Sequence, residues 1–563
     1  MRTAFSLRGR RVAACTALAL SAGMLLAAPA SADVPAPLPA VERPSVPVEL
    51  PRRSFTVPSA DRAGAAAVTG DAQPLADLNS DGWEDVVFRA MDGKLYSVLS
   101  DNGGAEFLPH RSEVAKDVIP IGNQGGNNIR PEVLVLSTTG TLTMYQDAHR
   151  DSFDYEWTVG TGWQIYNKVF SPGDLNGDKR ADVLARTHAG ELYVYLGTGH
   201  MTGPLSTRKR IGGGWGVYDQ LVGVGDATGD GRGDLYARDT AGRLWFYAAT
   251  GDLSRPFAPR RAIGQGWNTY NQLLWAGSGA LAARDDTGTM YLYDPRGGGF
   301  LAPRRKVSDT GGWAGVAQFA NSGSLPHTGK GGVYARTRAG NLYWYGVTTR
   351  GVLGSRAQLT EDGGWNDVVL FHPSSLDADN HAEFGWVHEG RLGIGGNVIG
   401  SGWGVYDALV GPGDLSGDGK GDLLARDRSG VLYLYRGNGH ATGFASRVRV
   451  GDGWSAYDRL VGAGDYTGDG RADLLARSKA GDLYVYAGTG RASAPFKGRV
   501  KIGGGWGAYK HLTAPGDLNA DGKADVLGIT HGGALYRHLG SAPGKFAARK
   551  QLATGFDIYN SFS

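Results

Sequence analysis

Apolar residues recur along most of this chain in short runs, separated by clusters of glycine, aspartate and asparagine, and the alternation itself repeats about every 51 residues. A full unit reads "GWxxYxxLVG", an acidic loop, "DLLARD", a glycine turn, "LYxY", a polar loop and a short basic run such as "RVRVG". The runs are short, rich in aromatic and branched residues and bounded by turn formers, which predicts β-strands. Four such runs per unit predict one four-stranded antiparallel sheet, the sequence signature of a propeller blade. The phase of the repeat is marked by a tryptophan at Trp163, Trp215, Trp267, Trp313, Trp365, Trp403, Trp454 and Trp506, with Phe556 as a late echo.

Acidic-loop positions, intact or decayed, number ten, near residues 77, 123, 174, 226, 277, 321, 375, 414, 465 and 517. Propellers usually have about four to eight blades. The count therefore predicts an all-β protein of two five-bladed rings, residues 71–319 and 320–563, with one large ring as the alternative. The first loop, at Asp77, has no "GW" strand before it, and "TGFDIYNSFS" has no loop after it. A late strand after Trp313 would seal the first ring and one after Phe556 the second, because an unsealed ring leaves two strand edges unpaired.

The acidic loops carry the chemistry. In "GDLSGDGKGDLLARD", Asp414, Ser416, Asp418 and Asp422 occupy positions 1, 3, 5 and 9, with Gly419 at position 6. The same register holds for Asp77, Asn79, Asp81 and Asp85; for Asp174, Asn176, Asp178 and Asp182; and for Asp226, Thr228, Asp230 and Asp234. It holds again for Asp465, Thr467, Asp469 and Asp473, and for Asp517, Asn519, Asp521 and Asp525. Like charges this close repel unless a cation lies among them, and a set of hard oxygens with a variable residue at position 7 suits Ca2+, which would take the backbone carbonyl there. Turn chemistry explains Asp and Gly separately but not their fixed spacing. About six calcium sites are expected. The copy at 174 has Lys179 where the others have glycine, and the seventh unit keeps only a variant set, Ser375, Asp377, Asp379 and Glu383. At extracellular calcium each site would add roughly 0.4 to 1.4 kcal/mol, and six together are comparable to a domain's margin of about 5 to 15 kcal/mol.

These loops resemble the calcium loops of FG-GAP (VCBS) repeats, as in the integrin alpha-chain propeller. The "IGGGWGVYDQLVG" and "AGRLWFY" stretches are similar to tachylectin-type propeller blades, and together the two resemblances cover about residues 71–563. The first implies calcium and a protein-binding adhesion or scaffold role; the second implies five-bladed rings and sugar binding.

Composition sets the context. Residues 1–32 read as an export signal: Arg2, Arg8, Arg10 and Arg11, an apolar run from Val12 to Ala28, then Ala30-Ser31-Ala32 as a cleavage site. General secretion is expected, with the Arg10-Arg11 pair leaving a twin-arginine route open. Residues 33–70, with seven prolines from Pro35 to Pro58, predict an extended linker. The only cysteine, Cys15, lies in the signal, so a mature secreted chain has no disulfide and draws rigidity from elsewhere. Four of the 58 bases and none of the 55 acids also fall in the signal, which leaves the remainder near neutral and gives no support to nucleic-acid binding. No later apolar run is long enough to span a bilayer.

Candidate recognition residues follow from the repeat. Trp215 with Tyr218, Trp403 with Tyr406 and Trp454 with Tyr457 offer flat faces on which a sugar can stack; the competing role is packing in the wedge between neighbouring sheets. Tyr193, Tyr195, Trp245, Tyr433, Tyr435 and Tyr484 alternate along strands, so half should face solvent. The arginines of "ARD", Arg186, Arg238, Arg284, Arg336, Arg426 and Arg477, suit either acidic glycans or an internal ion pair with a nearby aspartate. His372, His381 and His388 crowd the seventh unit without a zinc spacing. There is no nucleophile elbow, zinc-protease helix, phosphate loop or mature thiol, so no enzyme is expected. The reading is a secreted, monomeric, multivalent glycan-binding protein, its partner a glycan or cell-wall polysaccharide. A protein-binding adhesion module with an extracellular protein partner is the alternative, and a glycan-active hydrolase the third.

Overall fold

Glycine and aspartate interrupt the chain so often that no element grows long among the described residues: strands run from two to eight residues and the only helices there are single 3-10 turns. The computed structural model describes residues 50–52, 74–110, 115–125, 130–321, 330–360, 363–377, 379, 381–462 and 464–563. The expected signal lies outside these, as does the expected linker apart from 50–52. Among the described residues there are ten four-stranded antiparallel sheets and one two-stranded sheet, within a compact unit spanning Ala40–Ser563.

The sheets follow the sequence units. The third is typical: Tyr166–Gly173, Asp182–Thr187, Leu192–Tyr195 and Lys209–Gly212 pair in order. Two sheets depart from sequential order. Val316–Phe319 pairs with Val86–Ala90, so it completes the first sheet after four others have intervened. Tyr559–Phe562 pairs with Gly332–Thr337 and completes the sixth. The expected late strands thus lie beside the first strands of two sets of five sheets. From the second sheet to the fifth, and from the seventh to the tenth, the first strand of one sheet packs on the first strand of the next. Val87 and Leu95 of the first sheet share a core with Val118 and Val133 of the second.

Entry into six of the sheets, and into the late strand Tyr559–Phe562, has one form. A glycine in the left-handed region, such as Gly214 at φ +86°, turns the chain into a 3-10 turn beginning with the unit tryptophan, and the tyrosine three residues on starts the strand. The tryptophan N–H donates to a carbonyl in the preceding sheet's hairpin turn, as from Trp215 to Gly190 at 3.0 Å. A Cβ on Gly190 would lie 2.7 Å from the Gly216 nitrogen, so the approach requires glycine. Trp215 then stacks on Tyr247 with ring centroids 4.9 Å apart.

Adjoining sheets are also joined by buried arginines. Arg186 Nη1 donates to the carbonyls of Trp215 (3.0 Å) and Tyr218 (2.7 Å), both at the start of the next sheet. Arg426 reaches Trp454 and Tyr457, and Arg477 reaches Trp506 and Tyr509, in the same way. Arg238, Arg284 and Arg336 make the corresponding pairs with Trp267 and Tyr270, Trp313 and Val316, and Trp365 and Val368. Arg238, Arg426 and Arg477 also pair with Asp219, Asp407 and Asp458. In Arg186, Arg284 and Arg336 the Nε instead donates to Asn167, Asn271 and Asn560. The expected ion pair is present in three of the six, and carbonyl contacts are common to all. Burial pushes the Arg186 and Arg284 guanidinium groups down to about 10.

Arg238→Ala should destabilise the fold by about 1 to 3 kcal/mol, because two buried carbonyls lose their donor and Asp219 keeps only Lys523, 3.6 Å away, as a close ion-pair partner. Arg238→Lys should recover little, since an ammonium cannot reach two carbonyls and a carboxylate in one plane. Denaturant unfolding of the three proteins checks both.

Candidate functional site

Each intact acidic loop is wound around its own carboxylates. In the loop at 465–473, Asp465 Oδ1 accepts N–H groups from Thr467 (3.1 Å), Gly468 (2.6 Å) and Asp469 (3.2 Å), and Asp469 Oδ1 accepts from Arg471 (3.1 Å). Asp473 Oδ2 accepts from Tyr466 at 2.9 Å, and its Oδ1 from Gly488 at 2.8 Å, fifteen residues on in the following hairpin. The same two anchors recur at Asp85, Asp182, Asp234, Asp422 and Asp525. The ninth position therefore ties the loop to the sheet as well as facing the other acids. Asp473 Oδ1 accepts the one N–H of Gly488 and, with two lone pairs, keeps one for a cation.

Asp465, Asp469 and Asp473 can bring one oxygen each within 4.8 Å of one another, and so can Asp377, Asp379 and Glu383 of the seventh unit. A further test of fit comes from position 3 of the last loop. Asn519 is buried, 7% exposed, and its Oδ1 has no hydrogen-bond donor. Its counterpart in the 174 loop, Asn176 Oδ1, accepts from Asp178 at 2.8 Å. A hard cation would satisfy the Asn519 oxygen. Among the described residues, no such three-member group includes His372, His381 or His388. His372 instead packs edge-on to Tyr334, 5.0 Å between centroids.

Burial and neighbouring carboxylates hold several of the loop acids well above an ordinary carboxylate. Asp182, Asp234 and Asp517 are pushed up to about 7, and Asp414 and Asp465 to about 6, with burial the larger cause. Asp422, Asp473 and Asp525 are raised by burial and by the position-1 and position-5 carboxylates. Glu383 is pushed to about 8 by burial.

A second constellation lies along the outer strands. Trp215, Tyr218, Trp454 and Tyr457 are buried in the wedges between sheets, while Trp403 and Tyr406 are half-buried. What reaches solvent beside them is an arginine that was not singled out from the sequence. In the fourth sheet, Tyr218 and Tyr247 share a hydroxyl hydrogen bond, and Arg260 donates to Tyr218 while its guanidinium lies 4.1 Å over the Trp245 ring. In the third, Arg208 bonds Tyr166 at 2.8 Å and covers Tyr193 at 4.8 Å. Arg304 over Tyr291, Arg356 over Tyr343, Arg447 over Tyr433, Arg499 over Tyr484 and Arg549 over Tyr536 repeat the arrangement. All seven arginines are exposed. The signal was present: the arginine opens each short basic run, 42 residues after the partner tyrosine in three of the units. Tyr193, Trp245, Tyr433 and Tyr484 are the outward half of the alternating aromatics, and Tyr195 and Tyr435 the inward, hydroxyl-bonded half.

A family model of the FG-GAP-like repeat matches residues 174–237, 414–476 and 465–528, each running from one acidic loop through the next. No curated protein matches. Among solved structures, the chain is similar to an Agrocybe aegerita lectin described as recognising non-reducing terminal N-acetylglucosamine. That likeness has 17% identity and a TM-score of 0.25, and covers 78% of this chain and 91% of the lectin. It is also similar to the BP39L lectin of Burkholderia pseudomallei, at 12% identity and a TM-score of 0.22, covering 78% of this chain and 99% of that one.

The raised carboxylates predict the pH response of the metal-free protein. Their folded values lie above the ~3.9 of a free aspartate, so between about pH 4 and pH 7 the folded chain binds more protons than the unfolded one, and stability falls as pH rises. In chelator, the melting temperature should drop from about pH 5 to pH 8, and calcium should remove the drop by neutralising the ionised loops. A flat profile in chelator would contradict the burial of these acids.

Proposed function

We propose that this chain, which carries FG-GAP-like repeats, is an exported, calcium-loaded β-propeller protein that binds glycans through several equivalent shallow sites. The pairing of Val316–Phe319 and Tyr559–Phe562 with the first sheets of their sets supports two five-bladed rings. The loop register supports about six calcium ions, with positions 1, 3, 5 and 9 and the position-7 carbonyl as ligands. Bound calcium would supply charge neutralisation and rigidity. The ninth-position carboxylates are tied by N–H donors of their own loop and of the following hairpin, a structural use that supports binding in place of catalysis.

The observation that carries the glycan reading is the sevenfold recurrence of an exposed guanidinium over a half-buried aromatic ring, braced by a tyrosine hydroxyl. The ring beneath each guanidinium fixes its plane by a cation–π contact, and the free guanidinium donors meet sugar hydroxyls or a uronate carboxylate. Each site is shallow and weak alone; repetition around the molecule turns weak contacts into avidity for a polymer. The residues proposed for contact are Arg208, Arg260, Arg304, Arg447 and Arg499 with their rings, with Trp403 and Tyr406 at the edge of one site.

The test is a glycan array, with neutral and uronic-acid polysaccharides, probed with residues 33–563 in calcium and in chelator. Polysaccharide binding is expected. Replacing Arg260 alone by Ala should weaken it about twofold to threefold, and replacing Arg208, Arg260, Arg447 and Arg499 together should weaken it by more than tenfold. Capture of a single polypeptide without glycan binding would favour an adhesion module, and turnover of a glycan would favour a hydrolase; either result would overturn this reading.

A further inference from the structure

The acidic loops of the two sets of sheets differ in what they touch. In the first set the fifth-position acids Asp81, Asp178 and Asp230 are exposed. In the second set Asp418, Asp469 and Asp521 are part-buried, and their loops rest on turns and strands of the first set. The Asp469 carbonyl accepts from Asn167 Nδ2 (3.3 Å) and from His188 Nδ1 (2.9 Å). The Asn519 carbonyl accepts from Asn271 Nδ2 (2.7 Å), and that of Ala520 from Gln272 Nε2 (2.9 Å). Lys523, at position 7, lies 3.6 Å from Asp219. In the remaining loop, a Cβ on Gly419 would fall 2.6 Å from the Thr138 carbonyl oxygen.

We propose that calcium in the loops at 414–422, 465–473 and 517–525 controls the docking of the two sets of sheets, whereas the loops at 77–85, 174–182 and 226–234 stiffen only their own sheets. This rests on the calcium reading above. The docking carbonyls belong to positions 3, 4 and 5, the stretch of backbone between the acids that a cation would draw together. Without the cation the ionised carboxylates repel and that stretch loses the path its partners require. The fit has little slack: a Cβ on Gly470 would sit 2.4 Å from Asn167 Cβ and 2.9 Å from His188 Nδ1, so a small displacement of the loop breaks contact. The buried Asn519 oxygen without a donor sits in the same stretch, where a cation would complete it. Linkage requires the reverse effect as well: docking must raise the calcium affinity of the second-set loops.

The test follows residues 33–563 by equilibrium dialysis, small-angle scattering and hydrogen exchange, in calcium and after chelation. On chelation the radius of gyration should rise, and first-set amides at 138–141, 166–168 and 188–190 should lose protection about tenfold. With calcium present, D517N/D521N should reproduce the loss of protection in neighbouring first-set strands, and D174N/D178N should not. His188→Ala alters no loop acid, and should weaken calcium binding at the second-set sites about fivefold while leaving the first-set sites unchanged. The inference is overturned if calcium leaves with neither protection nor radius changed, if both loop variants act alike, or if His188→Ala leaves every calcium affinity unaltered. If no calcium binds at all, the calcium reading falls and takes this inference with it.

Discussion

The structure depends on a guanidinium from one sheet holding the backbone at the entrance of the next. Arg186, Arg238, Arg284, Arg336, Arg426 and Arg477 each reach two carbonyls, those of the residue opening the 3-10 turn or its equivalent and of the residue starting the following strand. Those carbonyls lie where the chain leaves one sheet for another and no ladder can serve them. With the entrance fixed, the tryptophan and tyrosine fall into the wedge between sheets, and the outer strand carries its arginine to the surface. Where the arginine is replaced by Ile529, Lys510 bonds the Tyr559 carbonyl at 3.0 Å, so the last junction keeps a cation on the same acceptor by another route.

The repeat made much of this legible. Strand number, unit boundaries, the late strands and the acidic register are all local properties of a period near 51 residues, and period-two patterning reports them directly. Partners were less legible. That Arg186 bonds the carbonyls of Trp215 and Tyr218 cannot be read from side-chain types, because the acceptors are main-chain atoms in the next unit. The ninth-position aspartate was expected as a ligand, yet its hold on the N–H fifteen residues later is invisible in the loop's own nine residues. The exposed arginines were passed over because a basic residue at the start of a polar run looks like ordinary surface; only the ring beneath each gives it meaning. Contacts such as Asn167 with Asp469, 302 residues apart, lie beyond any repeat-based reading.

The decayed units show what the acidic loop replaces. In the fifth sheet, Ala276 N–H donates to the Ala280 carbonyl at 3.1 Å and Ala280 N–H to the Gly277 carbonyl at 2.9 Å, so that short turn is closed without side-chain oxygens. A loop of nine residues with three or four acids is held by its own carboxylates and their N–H donors. The two solutions serve the same strand pair, and in the second set the longer one also offers its carbonyls to side chains of the first.

The sixth sheet has one further consequence. Its edge at Gly332–Thr337 is paired by Tyr559–Phe562, and Arg336 lies opposite Ser561, so more than two hundred residues must be synthesised before that edge has a neighbour. Throughout that interval a row of unpaired amides and carbonyls stands open to other chains. High contact order makes the closing step slow, and the cell must keep the half-built molecule apart from its siblings until the final strand arrives.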